Sequence, residues 1–101
     1  MNNKRETAFE RRRAFLDRSA VALGREWASS WRQELREIGR PAVGGWPGTI
    51  PEARARVDRY LVAELARQGM ARATDQERQL AAKAMYATAK HEWISPGRPP
   101  P

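Results

Sequence analysis

Apolar residues recur along this chain at helical spacing, and no stretch alternates apolar and polar residues as a half-buried strand would. The first periodic segment runs from Thr7 to Ile38. At 100° per residue, Phe9, Leu16, Ala20, Leu23, Trp27, Trp31 and Ile38 fall within an arc of about 80°. Thr7 and Glu10 have the spacing of a capping box, in which each side chain takes up a free backbone N–H of the first turn. Gly39 and Pro41 stop the segment. Gly24 lies inside it at a cost of about 1 kcal/mol relative to Ala, which marks either a weak point or a place of close packing.

The same start signal recurs twice. Thr49 with Glu52 opens a second helix that ends near Gly69, with Pro51 in the first turn where its missing N–H does no harm. Thr74 with Glu77 opens a third that continues through Trp93 and Ile94 to the stop at Pro96-Gly97. Between the first two, Gly39 to Thr49 is too rich in Gly and Pro for a helix. Trp46 in that loop is expected to plug the helix junction, the sharper alternative being an exposed anchor for a partner. The predicted fold is all-α: three helices, the long N-terminal one packed on a helix–loop–helix hairpin. Residues 1–6 are expected to be flexible, 7–94 to form one helical domain, and 95–101 to be a disordered, extended Pro-rich tail.

The faces of these helices differ. The second should bury Ala53, Val57, Tyr60, Leu61 and Leu65, with Arg56, Arg59 and Arg67 outward. The third carries two apolar stripes on roughly opposite sides. One is Leu80, Ala84, Ala87, Thr88, His91 and Ile94; the other is Ala82, Tyr86, Ala89 and Trp93. A helix apolar on both sides is either central or shared with another chain. Three helices offer few neighbours to surround a central one, so the pattern points to an intermolecular use of one face.

Composition sharpens this. Among 101 residues, 17 are Ala and only 15 are Leu, Ile, Val or Phe, so the core is thin apart from four Trp. A thin core suggests dimerisation or a protein partner, with Trp46, Tyr86, Met85 and Trp93 as candidate contacts. The absence of Cys excludes a disulfide framework and, with one His, a zinc finger; it also suits the cytoplasm. No apolar run is long enough for a membrane span.

The net charge of +7 comes mostly from 16 Arg. Arg11, Arg18, Arg25 and Arg32, joined by Arg36, share one face of the first helix, a row about 37 Å long that could follow a phosphate backbone. Glu10, Asp17, Glu26 and Glu37 flank this row and partly neutralise it, and no aromatic joins it to stack on bases. A helix-turn-helix over Arg59 to Lys90 is disfavoured, because the third helix opens with Asp75, Gln76 and Glu77, which would meet phosphates with negative charge.

Catalytic chemistry is sparse. There is no phosphate-binding Gly-rich loop, no metal-ligand spacing and no Cys nucleophile. His91 with Glu64 and Glu34, all on apolar faces, could form a polar cluster, more simply a structural one than an acid–base pair. The expectation is a non-enzymatic binding protein without cofactor or metal, acting by protein–protein contact. It would serve as a regulator or adaptor and form a homodimer. The rival is a sequence-nonspecific nucleic-acid binder using the Arg row.

Overall fold

The computed structural model describes residues 7–42 and 44–96, so the expected flexible N-terminus (1–6) and residues 97–101 of the expected tail lie outside the described residues. Three helices make up the structure: α1 (Ala8–Glu37), α2 (Ile50–Arg67) and α3 (Asp75–Ile94). No strand occurs among the described residues. Each helix starts at the threonine that the capping pattern marks. Thr7, Thr49 and Thr74 accept from the backbone N–H of Glu10, Glu52 and Glu77 at 3.0, 3.3 and 3.0 Å, and each glutamate accepts from the threonine's N–H in return. Gly39 and Gly69, just past α1 and α2, take positive φ (73° and 70°), which ends a helix without a Cβ clash.

α3 is the middle element. It packs extensively against both α1 and α2, which touch each other only marginally. The dimensions, 53 × 33 × 20 Å, are accordingly flat. Of the two roles the stripe pattern allows, α3 takes the central one: neighbours of the same chain cover one of its stripes and leave the other open. Ala82, Ala89 and Trp93 are buried there together with Ala81 and Met85, while Leu80 and Ile94 of the other stripe are exposed.

α1 and α3 run parallel. Arg12 meets Glu77 at one end of the seam, and Arg32 meets the last turn of α3 at the other. Gly24 marks their closest approach. A Cβ at this position would lie 2.6 Å from the Met85 carbonyl oxygen and 2.8 Å from Thr88 Cβ. Of the two roles open to Gly24, close packing is the one observed, supported by the buried alanines 20, 28, 81 and 89. α2 contributes Ala53, Val57, Leu61 and Leu65 to the same core as expected, with Tyr60 half-buried. The apolar stripe expected on α1 is buried at Leu16, Ala20 and Trp27, but its two ends, Phe9 and Ile38, are exposed. The reason is length: 30 residues of α1 outreach the 20 of α3, so the ends of the stripe have less to cover them. Among the described residues no helix is long and apolar enough to cross a membrane.

Candidate functional site

The two ends of the α1–α3 seam are built differently. At the C-terminal end the loop folds Trp46 into the gap. Its ring meets Trp27 of α1 edge-on at 4.8 Å and Trp93 of α3 at 5.5 Å. Trp93 Nε1 donates to the Gly44 carbonyl at 3.0 Å, which pins the loop. A Cβ on Gly48 would sit 2.7 Å from the Trp46 ring, so any larger residue there would have to displace the indole. Arg32 lies over the Trp93 ring at 5.1 Å and donates to the Trp93 and Glu92 carbonyls, a cation placed at the C-terminal, negative end of α3. Arg56 of α2 lies over the Trp27 ring in the same way, at 5.1 Å.

At the N-terminal end no aromatic residue of the loop enters. Arg12 reaches from α1 and donates through Nε and Nη2 to both carboxylate oxygens of Glu77, at 2.9 and 3.0 Å, and to the Arg72 carbonyl at 3.1 Å. Together with the Thr74 N–H, this guanidinium holds the Glu77 carboxyl far below the usual range, at about 2. Beside the pair an open groove of about 420 Å³ runs between the helices, lined by Phe9, Arg12, Arg13, Leu16 and Asp17 of α1 and by Gln76, Glu77, Leu80 and Ala81 of α3. Phe9 is 70% exposed and Leu80 52%. The volume is within the usual range of ligand pockets, roughly 300–1,000 Å³.

From Leu80 the exposed surface continues along α3. Gln76, Leu80, Lys83, Ala87, Lys90 and Ile94 are all exposed. At 100° per residue they share one face of the helix, away from the side that Met85 and Ala89 turn to α1 and the side that Asp75 and Gln79 turn to α2. The apolar surplus of α3 is real, but it lies on the Leu80–Ile94 stripe.

The residues singled out from the sequence end up in several places. Trp46, Met85 and Trp93 are buried inside the chain, and Tyr86 is half-buried against the core. A partner meeting the folded protein would not reach the first three. Trp46 is thus the junction plug and not an exposed anchor. Of the Arg row, Arg11, Arg18, Arg25 and Arg36 are exposed, whereas Arg32 is half-buried and engaged by α3. Glu64 is bonded by Arg67 and Gln68, and Glu34 is exposed. Among the described residues no group of three or more His, Cys, Asp or Glu could hold a metal ion.

Sequence reasoning missed Phe9 and Leu80 as a surface pair, because both belong to apolar stripes that a helical wheel places inward. It also missed two cation networks, Arg12–Glu77 and Arg54. Arg54 bonds Asp58 at 3.0 Å, Gln79 at 2.9 Å and Asp75 at 2.6 Å. The acidic opening of α3 that argued against a recognition helix is therefore occupied by arginines of α1 and α2. The protein that emerges is a flat three-helix all-α protein with an open apolar groove. No protein-family model, no curated protein and no solved structure matches this chain.

Proposed function

We propose that the chain is a small non-enzymatic binding protein, a regulator or adaptor acting by protein–protein contact, and that its contact surface is the groove at Phe9 and Leu80 with the adjoining Ala87 and Ile94. The observation that carries this reading is the pairing of two large exposed apolar side chains, Phe9 and Leu80, across an open groove between two helices. Scattered single apolar residues on a surface need no explanation, but a contiguous apolar cleft rimmed by charge is the usual form of a docking site. Trp27, Trp46 and Trp93 contribute by holding together the two helices that form the cleft.

A photo-crosslinking residue placed at position 80, compared with one at the exposed Ala63 on α2, tests the reading. Under nuclease and high salt, a stoichiometric protein adduct is expected at position 80 only, and it should disappear when Phe9 is also changed to Ser. Equal labelling at both positions, or none, overturns it. A cytoplasmic setting belongs to this proposal and is supported by the lack of Cys. Burial of Trp46, Met85 and Trp93 within one chain leaves Tyr86 as the one residue of the expected contact set that a partner or a second copy could reach.

A second reading, nonspecific nucleic-acid binding along α1, is supported by the exposure of Arg18, Arg25 and Arg36. It predicts that log K falls by about 0.9 per neutralised phosphate as log salt rises. Changing Arg18 and Arg25 to Gln should then flatten the slope by about 2, and an unchanged slope removes this reading.

A further inference from the structure

We infer that the occupant of the groove is an acidic amphipathic helix of another protein, laid along the open face of α3. The inference rests on the docking reading above and adds the chemistry of the partner. The open face of α3 bears Leu80, Ala87 and Ile94 in a line, with Lys83 and Lys90 beside them and Gln76 at its start. No carboxylate belongs to this face. Arg13 adds a third cation from the α1 side of the groove; Asp17 is an anion there, and Arg12 and Glu77 neutralise one another. The surface is therefore an apolar strip with a positive rim, on a chain whose net charge is +7.

Shape and charge together select the occupant. From Leu80 to Ile94 the strip is about 21 Å long, the length of four helical turns. An apolar strip that widens into a cleft between two helices receives the side chains of a helix at i, i+3 or i+4, and i+7. Acidic residues on the flanks of that helix would face Lys83, Lys90 and Arg13, whereas basic flanks would meet like charge. A second copy of this chain is a poor fit, because it would set Lys83 and Lys90 against the same residues of its partner. A bilayer is flat and would leave the cleft between Phe9 and Leu80 unfilled. A nucleic acid would gain nothing from Leu80, Ala87 and Ile94.

The test uses the full-length chain and two labelled synthetic helical peptides of about 18 residues, long enough to cover the strip. Both carry leucines at the same i, i+4, i+7 and i+11 positions; one has glutamate flanks and the other lysine flanks. Binding is read by fluorescence anisotropy at about 50 and about 300 mM salt. The glutamate peptide should bind on the order of tenfold more tightly or better, with the advantage shrinking at the higher salt. Changing Lys83 and Lys90 to Glu should reverse the preference, and helicity by circular dichroism should be unchanged because both sites are exposed. Changing Leu80 to Asp should weaken both peptides.

Equal binding of the two peptides, unmoved by the charge reversal but lost with Leu80→Asp, overturns the acidic partner and leaves the docking groove standing. Binding of neither peptide overturns both. The inference also fails if Lys83→Glu with Lys90→Glu abolishes binding to duplex DNA or to vesicles of phosphatidylserine and phosphatidylcholine while neither peptide binds. Concentration-dependent dimerisation in sedimentation, abolished by Leu80→Asp, replaces the acidic partner with a second copy of the chain.

Discussion

The same two parallel helices, α1 and α3, are closed at one end of their seam and open at the other. At the closed end Trp27, Trp46 and Trp93 pack edge-to-face, and Arg32 covers the outside. At the open end a bidentate ion pair, Arg12 with Glu77, holds the helices together, and Phe9 and Leu80 beside it stay exposed to water. The contrast separates two jobs. Aromatic packing fills the junction of a chain poor in Leu, Ile, Val and Phe. An ion pair fixes spacing while filling little volume, so a groove can persist next to it. The end packed with indoles and the end proposed to bind a partner need not compete for the same residues.

The comparison predicts a graded series of effects. Trp46→Ala should be the most damaging, removing both edge-to-face contacts and leaving a cavity at the junction. A loss of about 3–5 kcal/mol is expected in urea unfolding, a large fraction of the roughly 5–15 kcal/mol by which such domains are stable. A loss below about 1 kcal/mol would mean that the indole only covers the core.

Gly24→Ala should come next, although Ala is the better helix former by about 1 kcal/mol. The added Cβ would lie 2.6 Å from the Met85 carbonyl, so the helices must move apart. A net loss of about 1–3 kcal/mol in urea unfolding is expected. A stabilised variant would show that the seam can relax along its whole length.

Arg12→Met should cost less, about 1–2 kcal/mol, and should change the pH dependence. In the folded chain the Glu77 carboxyl titrates at about 2, against 4.5 when free of its partners. As pH falls, the unfolded chain takes up this proton first. The contribution is therefore fully present above about 4.5 and is lost progressively between there and about 2. Urea midpoints measured across that window should fall less steeply in Arg12→Met than in the wild-type chain. Parallel curves would show that Glu77 owes its low value to the Thr74 cap alone.

The smallest effect on stability should come from changing Phe9 and Leu80 together to Ser. Both are largely exposed, so the unfolding free energy should change by no more than about 0.5 kcal/mol, while any partner of the groove is lost. A large destabilisation would mean that the groove is part of the core, and the division between the two ends would collapse.

Some of this was legible in the residues and some was not. At Thr7, Thr49 and Thr74 the glutamate three residues on marks all three helix starts. The buried positions of α2 were legible because that helix has a single apolar face. On α3 two faces looked alike, and nothing local distinguishes the one with Trp93 from the one with Ile94. The same holds for the Arg row: Arg32 has the spacing of Arg18 and Arg25, yet of these three it is Arg32 that meets the end of α3. Phe9 belongs by spacing to the α1 stripe, yet it lies exposed at the groove that α1 forms with α3.

Helix starts and stops are local matters, because capping boxes, glycines past helix ends and prolines act within a few residues of backbone. The need for Trp46 at the junction is local too, because an indole in a Gly/Pro-rich loop has no helix of its own to cover it. Folding in three dimensions settled the rest: that α3 is central, which of its stripes stays in water, and that Arg12 and Arg32 hold the two ends of one seam. Those outcomes depend on pairings between residues 21 to 65 positions apart. Such pairings follow from how helices of unequal length align, which no local pattern encodes.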